Sequence, residues 1–296
     1  MFSVAITGEI GSGKSTLAKI WGDMGANVFD LDAIAKTQWR RPEIKEAAAR
    51  RWGEGLFPDG EPDYRKIAGH VFKDIGEYRF AADLVHPSTI TESAKRFHNL
   101  RGWVVIEIPL LYEVGWFDLI DYVICVTSTD DLRMGRIASR GWTEQEISVR
   151  ERFMIGSPKK QAMSDIVMCN IGSMEAWEER AREMGALMLK MSTVHEISVS
   201  CKDLDEAGKI MSSLVESRLV AGASAMRVDS TFRWKGEIMH VPEYNIRALT
   251  IEHNLRPVMR RVRELHSYEV PAITAREILR SDYQTLKWVV DNCGGE

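Results

Sequence analysis

The chain has 296 residues, of which 45% are hydrophobic and 28% charged, and its formal net charge is −4. This length corresponds to about two domains of roughly 150 residues, and the composition excludes fibrous and disordered proteins. The lack of a basic excess argues against nucleic acid as a partner, and no apolar run approaches the ~18 residues that cross a bilayer, so no membrane partner is expected.

The first part of the chain alternates short apolar strands with helical patterns. Predicted strands lie at residues 4–6, 26–30, 103–108, 122–126 and 166–168. Helical spacing of apolar residues occupies 16–21, 43–52, most of 63–100, 130–140, 143–154 and 173–189. Strands that alternate with helices in this way predict a parallel α/β sheet.

The order of elements changes near Lys190. Predicted strands follow at 194–200, 224–234, 237–251 and 271–278, with helices at 203–216, 255–265 and 282–292. The β-α-β-β-α-β order that precedes the last helix is the split ferredoxin-like arrangement. The sequence therefore predicts an α/β domain over residues 1–192 and an α+β ferredoxin-like domain over residues 193–296, joined by a short linker.

The N-terminal residues and the cysteines bear on the cellular compartment. Residues 1–6 have no basic segment, and Gly8 follows too early for the apolar core of a secretory leader. The cysteines are scattered without a CxxC pair, which argues against a disulfide framework or a thiolate zinc site. We therefore expect a cytoplasmic protein.

A glycine-rich segment lies between the first strand and the first helix. Gly8–Ser15 fits the Walker A pattern GxxxxGK[ST], in the strand-to-helix context that supports this pattern. The backbone amides of such a loop and the helix N-terminus behind it attract phosphate oxygens, which is the role expected of Gly11, Ser12 and Gly13. The sequence therefore predicts a P-loop, and with it nucleotide binding, without fixing the reaction.

The polar side chains of this loop have separate expected roles. Lys14 neutralises the β- and γ-phosphates of the nucleotide, and the Ser15 hydroxyl ligates Mg²⁺. Thr16 either contacts the α-phosphate side or is an ordinary helix residue. Glu9 places a carboxylate in an anion-binding loop, so we expect it to point to solvent or to contact a bound cation.

Three features favour a small-molecule kinase among nucleotide-binding proteins. The first domain is too short for a motor ATPase, and it has no Asn-Lys-x-Asp motif that would read guanine. Asp30 and Asp32 end the second predicted strand, where a carboxylate can accept the proton of an acceptor hydroxyl. We favour Asp32 for this role. The alternative is that either aspartate caps the helix that follows.

A basic stripe lies in the second half of the first domain. Arg133, Arg136 and Arg140 are spaced by three and four residues, so they share one helix face. Arginines on a segment that closes over phosphates would neutralise the transferring charge. The alternative is a solvated basic face, and the spacing alone leaves both open.

Further segments carry motifs in a fixed order across residues 1–190. They are Thr7–Thr16, Val28–Asp32, His86-Pro87 and Ile108–Glu113, followed by Arg136 and Arg140. In order and spacing this set resembles the dephospho-CoA kinase family. That family phosphorylates the ribose 3′-hydroxyl of dephospho-CoA with ATP and Mg²⁺, in the last step of coenzyme A synthesis. The resemblance implies a P-loop parallel sheet with helical acceptor and lid regions.

The resemblance also implies roles for individual residues. Asp32 would be the general base, with Lys14 and Arg136 as further catalytic residues. Arg140 would belong to the lid and grip ATP phosphates together with the loop. The residues that contact the substrate would be Thr7, Asp32, Arg65 and His86. The sequence departs from the family at Glu9, where Gly is usual, at Glu107, where Asp is usual, and in 154–158, where no Gln precedes Pro158.

Residues 193–293 carry a second set of matching segments. They are Cys201–Ala207, Arg218–Ala221, Ser230–Gly236, His266–Pro271, and Tyr283 with Trp288. This set resembles the CutA divalent-cation-tolerance family, whose ferredoxin-like subunits form compact trimers. The resemblance implies a homotrimer, in which this domain oligomerises or regulates the kinase.

The resemblance to CutA also raises the question of a metal. Some members of that family bind copper, and Cys201 and His266 match positions tied to that binding. A soft thiolate with an imidazole suits copper, so a divalent cation or copper is a candidate ligand here. The alternative is a buried cysteine and an ordinary histidine without a metal.

The sequence leaves two other functions open. One is a kinase that phosphorylates another small nucleoside or nucleotide. The other is a nucleotide- or metal-sensing scaffold whose kinase half has decayed, which Glu9 and the altered lid suggest. The leading interpretation is an ATP-dependent dephospho-CoA kinase fused to a CutA-like domain.

Overall fold

The structure is a computed structural model that describes residues 2–97, 100, 102–115 and 120–294. The chain divides into two compact units, Met1–Glu183 and Met184–Glu296. The division falls inside one helix, Met174–Met191. Each unit has a sheet of its own, and each is described separately below.

The first unit contains a parallel sheet, which confirms the predicted α/β fold. Its strands are β1 (Phe2–Gly8), β2 (Asn27–Asp30), β3 (Trp103–Glu107), β4 (Tyr122–Thr127) and β5 (Ile166–Cys169). They lie in the order β2-β3-β1-β4-β5, and every adjacent pair is parallel. The side chains of β1 and β4 are buried throughout, as expected for central strands with both faces covered.

Helices connect these strands. They are α1 (Lys14–Asp23), α2 (Leu31–Gln38), α3 (Pro42–Trp52), α4 (Tyr64–Val71), α5 (Ile75–Phe97), α6 (Leu111–Val114), α7 (Asp130–Ala138), α8 (Glu144–Glu151), α9 (Ser157–Ala162) and α10 (Met174–Met191). Two short 3₁₀ turns, Glu54–Leu56 and Pro58–Gly60, lie between α3 and α4. Because ligands bind beyond the carboxyl ends of parallel strands, the ends of β1, β2 and β3 mark the expected site.

The structure differs from the sequence prediction where the second strand ends. The chain enters α2 at Leu31, so Asp32 lies in the first turn of a helix and not at the end of a strand. The Asp30 side chain accepts a hydrogen bond of 3.0 Å from the backbone N–H of Ala33 and caps α2. Of the two aspartates, Asp30 is therefore the helix cap.

Other helix boundaries also differ. The helix predicted over 143–154 ends at Glu151, and the next residues turn before α9 begins. Helices α6 and α9 were not predicted, because their 4 and 6 residues are too few for a periodic apolar pattern. Part of the helical region predicted over 63–100, residues 98 and 99, lies outside the described residues.

The second unit has the predicted ferredoxin-like topology. Its strands are β6 (Val194–Cys201), β7 (Gly222–Trp234), β8 (Glu237–Ile251) and β9 (Ile273–Glu277), in the antiparallel order β7-β8-β6-β9. The helices are α11 (Leu204–Glu216), α12 (Leu255–Leu265) and α13 (Tyr283–Asn292), and a 3₁₀ turn, Glu252–Asn254, precedes α12. Apolar residues of α11 and α12 pack on β6 and β8 to form the core.

No helix within the described part of the chain combines the length and the apolar character needed to span a bilayer.

Candidate active site

The phosphate loop joins the end of β1 to the start of α1. Gly11 and Gly13 have φ angles of 78° and 107°, which side chains rarely adopt. A Cβ atom on Gly13 would lie 2.2 Å from Nδ2 of Asn170, so a larger residue could not fit there. That amide donates a 2.8 Å hydrogen bond to the carbonyl of Ser12. The loop is therefore shaped by its glycines and braced from beneath by Asn170.

Lys14 is buried and folds back over this loop. Its ammonium group donates hydrogen bonds to the carbonyls of Gly8 at 3.2 Å and Glu9 at 2.8 Å. Burial lowers the pKa of Lys14 to about 8, and the nearby carboxylates of Glu107 and Asp32 oppose the shift. The side chain is thus placed at the loop that would cradle the nucleotide phosphates.

Ser15 and Glu107 form the second polar group of the site. The Ser15 hydroxyl donates a 2.8 Å hydrogen bond to Oε1 of Glu107, which ends β3. Burial raises the pKa of Glu107, while the bond from Ser15 and the charge of Lys14 oppose the shift. A hydroxyl and a carboxylate at one edge of a phosphate loop are oxygen donors of the kind Mg²⁺ prefers, so these residues fit that ion. The sequence departs from the resembled family at Glu107, and this residue still supplies a carboxylate next to Ser15.

Asp32 faces the same space from α2. Part of its side chain is exposed, but the protein packed around it raises its pKa, and the Asp30 carboxylate raises it further. The charge of Lys14 acts in the opposite direction. A carboxylate with a raised pKa beside a phosphate site is a candidate general base. The structure therefore brings Asp32 together with Lys14 and Ser15, as the sequence predicted.

These groups line one cleft of about 260 Å³. Arg150 of α8 and residues before and after that helix also line the cleft. Four aromatic residues are among the lining side chains, namely Phe72, Tyr78, Trp142 and Phe153. The rings of Tyr78 and Phe153 stack with centroids 5.0 Å apart. Aromatic side chains in a cleft that contains a phosphate loop can hold a flat base or exclude water from the reacting groups.

Arg150 is a cleft residue that the sequence did not indicate. Its guanidinium carbon lies 4.5 Å from the ring centroid of Trp142 and 4.7 Å from that of Phe72. Burial lowers the pKa of this guanidinium, while carboxylates that include Asp32 oppose the shift. Contacts with two rings orient the planar group and leave its N–H donors available to an anion. In the sequence Arg150 is one of many charged helix residues, and no motif marks it.

The three lid arginines have different surroundings. Arg140 lines the cleft, as predicted for a residue that grips phosphates. Arg136 instead donates hydrogen bonds to Oδ1 of Asn170 at 3.2 Å and to Ser128 at 3.1 Å, and so braces the loop from outside. Arg133 is buried and pairs with Glu9, with 3.1 Å between Nη1 and Oε1. Glu9 thus pairs with an arginine of the chain, an arrangement that differs from the expected exposure to solvent or contact with a bound cation.

The predicted acceptor residues are spread around the cleft. His86 shares a small cavity of about 50 Å³ with Asp32, and burial lowers the pKa of its ring below the usual value. Arg65 is exposed in the first turn of α4. Thr7 is buried in β1, where its hydroxyl donates to the carbonyl of Pro109 at 3.4 Å. The structure brings His86 to Asp32 and places Thr7 beneath the loop.

In the second unit, Cys201, Glu206 and His266 place one potential ligand atom each within 4.8 Å of one another. The N–H of Tyr268 donates to Nδ1 of His266 at 3.0 Å, so Nε2 carries the proton of the neutral ring. That nitrogen lies 2.7 Å from the carbonyl of Ser200 and donates to it. Both ring nitrogens are therefore engaged within the protein.

The other two members of this cluster are also constrained. The carboxylate of Glu206 accepts hydrogen bonds from the backbone N–H groups of Ser267 at 2.7 Å and Lys202 at 3.0 Å. Burial raises the pKa of the Cys201 thiol to about 12, and the neighbouring carboxylates add to the shift. In this arrangement the cluster ties β6, α11 and the 266–268 turn together.

Comparison with known proteins decides the family. The family model for dephospho-CoA kinase matches residues 2–176, more than half of the chain. The chain belongs to the dephospho-CoA kinase family. This membership makes the first unit a kinase and agrees with the position of Lys14, Ser15 and Asp32 in one cleft.

Individual relatives support the same family. The dephospho-CoA kinase of Deinococcus radiodurans is 32% identical, over 59% of this chain and 86% of that protein. The dephospho-CoA kinase of Thermus thermophilus is 34% identical, with the same coverage of both chains. The crystal structure of TT1252 from Thermus thermophilus covers 62% of this chain and 96% of its own, with 32% identity and a TM-score of 0.52. In the second unit, the family model for the CutA1 divalent ion tolerance protein matches residues 196–292.

Proposed function

We propose that the protein transfers the γ-phosphoryl group of ATP to the ribose 3′-hydroxyl of dephospho-CoA, giving coenzyme A and ADP. The observation that carries this proposal is the convergence of Lys14, the Ser15–Glu107 pair and Asp32 on one cleft, in a chain of the dephospho-CoA kinase family. The cleft provides a site for phosphates, oxygen donors for Mg²⁺ and a carboxylate for the acceptor.

The phosphate side of the mechanism depends on charge and orientation. The loop amides and the N-terminus of α1 bind the phosphate oxygens, and Lys14 leaves the loop carbonyls to contact the β- and γ-phosphates. Ser15 and Glu107 would hold Mg²⁺, which supplies positive charge to the phosphates when bound. Arg140 and Arg150 also line the cleft and would stabilise the charge that develops on the transferring group.

The acceptor side depends on Asp32. Its carboxylate accepts the proton of the 3′-hydroxyl as the ribose oxygen forms a bond to the γ-phosphorus. The bond between that phosphorus and the bridging oxygen breaks, and ADP leaves with the electron pair. A raised pKa makes Asp32 a better proton acceptor than an ordinary aspartate, provided that it is ionised at the working pH.

Acceptor specificity tests this proposal. ADP release would be measured with ATP and Mg²⁺ in the presence of dephospho-CoA, adenosine, AMP or no acceptor. We expect strong stimulation by dephospho-CoA and little by the others. Equal stimulation by adenosine or AMP would favour a kinase that phosphorylates another small nucleoside or nucleotide. ATP binding without stimulation would favour a decayed kinase, although the pairing of Glu9 with Arg133 removes one reason to expect decay.

We expect a bell-shaped pH dependence of kcat/KM for ATP at saturating Mg²⁺. Activity falls at low pH as Asp32 gains a proton, at a pKa above its usual 3.8. It also falls above pH 8, by about tenfold per unit, because Lys14 in the free enzyme loses its proton near that pH. In kcat this basic limb moves to higher pH, since bound phosphates favour the charged lysine. A flat kcat/KM between pH 7 and 10 would contradict the role of Lys14.

We further propose that the second unit makes the protein a homotrimer. The family match to CutA1 supports this, and so does an open groove of about 690 Å³ beside the β7–β8 hairpin. Polar and apolar side chains line this groove, and its apolar residues Phe232, Trp234 and Val270 are 38%, 38% and 65% exposed. An exposed apolar patch of this kind favours burial against another copy. For an enzyme that consumes ATP and a coenzyme A precursor, we propose a cytoplasmic location.

Light scattering after gel filtration tests the trimer. We expect the mass of three chains for the wild-type protein and a loss of trimer for Val270→Lys. Leu279→Lys is the matched control, because Leu279 is 59% exposed but does not line the groove. A wild-type monomer, or equal effects of the two substitutions, would contradict this assembly.

Copper binding by Cys201 and His266 stays a prediction. A copper ion would have to displace the proton of the Cys201 thiol, whose pKa burial raises to about 12, and one hydrogen bond of His266. These costs favour a metal-free cluster. Metal content after dialysis against Cu²⁺, compared between the wild type and Cys201→Ser, would decide the question.

A further inference from the structure

A buried guanidinium connects the phosphate loop to the lid. The Arg133 side chain is only 3% exposed, and its Nε donates to the carbonyl of Ile10 at 3.0 Å. Its Nη1 lies 3.1 Å from the Glu9 carboxylate and 2.7 Å from that of Asp130. Its Nη2 pairs with Oε1 of Glu151. One arginine therefore contacts the phosphate loop, its own helix α7 and the last residue of α8.

The surroundings make these contacts strong. The contacts to Glu9 and Glu151, whose side chains are 23% and 32% exposed, are screened by salt less than surface pairs, whereas the Asp130 side chain is 84% exposed. Burial raises the pKa of Glu151, and the charge of Arg133 is the largest opposing influence. Glu9 and Asp130 add to the rise, since three carboxylates surround one guanidinium. Loss of Arg133 would leave three carboxylates close together without a positive charge between them, which costs more than the loss of a surface ion pair.

The position of Glu151 gives this cluster a consequence for the cleft. Arg150 precedes Glu151 on α8 and reaches the cleft between the rings of Phe72 and Trp142. Both side chains extend from the C-terminal end of α8. Glu151 contacts Arg133, and Arg150 lines the cleft. Fixing Glu151 therefore fixes the backbone from which Arg150 extends.

We propose that Arg133 is a positioning residue that clamps α8 to the phosphate loop through Glu151 and Glu9, so that Arg150 is held beside the transferring phosphoryl group. The proposal rests on the proposed kinase function. In this clamp Glu9 provides a second contact between Arg133 and the phosphate loop, in addition to the carbonyl of Ile10. Displacing a charged group by about 1 Å is enough to lower turnover strongly.

A double-mutant cycle between Glu151 and Arg150 tests this role. Glu151→Gln replaces the ion pair to α8 with, at most, a neutral hydrogen bond and leaves Arg133 paired with Glu9 and Asp130. We expect it to lower kcat by about tenfold, within the range of coupled neighbours, with KM for ATP within about twofold. In the Arg150→Gln background the same substitution should change kcat by less than about twofold. The control is Glu179→Gln, an exposed glutamate of α10, which should leave kcat unchanged.

The cycle separates positioning from stability. If Glu151 only stabilises the fold, its substitution lowers kcat equally in both backgrounds, or lowers the melting temperature without changing kcat. Either result overturns the proposal. Arg133→Lys gives a second readout, because lysine keeps the charge but cannot bridge loop and helix with a planar fork. We expect it to lower kcat as Glu151→Gln does, and wild-type turnover would contradict the clamp.

Hydrogen exchange of the α8 amides tests the same clamp without turnover. Glu151→Gln should speed exchange at residues 144–151 by several-fold, and Glu179→Gln should not. Unchanged exchange overturns the clamp even if the wild-type enzyme is active. A wild-type enzyme that does not act on dephospho-CoA, but shows the expected exchange, overturns the proposed acceptor and leaves the clamp standing.

Discussion

The Asp32→Asn substitution is expected to lower kcat by about 10²–10⁴-fold, the usual contribution of a positioned general base. Asparagine is similar in size to aspartate, so the cleft and the first turn of α2 are retained. It cannot accept the proton of the 3′-hydroxyl, and it removes the carboxylate that faces Lys14 and Arg150. Steady-state kinetics with dephospho-CoA should therefore show the loss in kcat, with KM for ATP changed little.

Asp30 provides a matched control two residues away. Its carboxylate caps α2 through the N–H of Ala33, and asparagine caps helices about as well as aspartate. Asp30→Asn should therefore leave kcat within a few-fold of wild type and the melting temperature nearly unchanged. If Asp32→Asn behaves like Asp30→Asn, the assignment of Asp32 as the base is wrong.

The second large effect is expected for Lys14→Met. Removing the ammonium group takes away a charge that contacts the β- and γ-phosphates, and loss of one such group costs about 10²–10³-fold in kcat. Affinity for ATP should fall as well, since the same charge binds the ground state. Kinetics and calorimetric titration with a non-hydrolysable ATP analogue measure the two effects.

The fold should tolerate this substitution. The pKa of Lys14 falls from 10.5 to about 8 on folding, so the unfolded chain binds its proton more tightly and the buried charge opposes folding at pH 7. Methionine removes that charge and fills similar volume, which offsets the lost hydrogen bonds to Gly8 and Glu9. We expect a melting temperature close to wild type. Lys19→Met, at an exposed position of α1, is the control, and turnover above a tenth of wild type for Lys14→Met would contradict its role.

Local patterns were enough to predict the phosphate side of the site. The Walker A segment specifies a strand, a glycine loop and a helix within a few residues, so the position of Lys14 and Ser15 follows from the sequence. The alternation of strands and helices similarly predicted the parallel sheet of the first unit, and the β-α-β-β-α-β order predicted the ferredoxin-like arrangement of the second. These features depend on residues that are close in sequence, and the structure contains them.

The supporting contacts could not be predicted in this way. Arg133 and Glu9 are separated by 124 positions, and Asn170 and Ser12 by 158, so no local pattern links them. Arg150 is oriented by two aromatic rings, those of Phe72 and Trp142, which come from different segments of the chain. Such side chains acquire their function from tertiary packing, which a single sequence without a motif does not reveal.

The position of Asp32 shows how a small boundary error affects a site. The sequence suggested a strand that ends in two aspartates, because both follow the apolar residues Val28 and Phe29. The Asp30 cap starts the helix sooner, and this separates the roles of the two carboxylates. The prediction of Asp32 as the base does not depend on the strand boundary, since the first turn of α2 still faces the cleft.

The identity of the reaction product tests the proposed kinase activity without relying on any variant. Purified protein would be incubated with ATP, Mg²⁺ and dephospho-CoA, and the product analysed by mass spectrometry and ³¹P NMR. A dephospho-CoA kinase should give a product heavier by one phosphate, with a new phosphomonoester coupled to the ribose 3′ proton and one ADP released per product. Consumption of ATP without such a product, or a phosphate on another hydroxyl, would contradict the proposed activity.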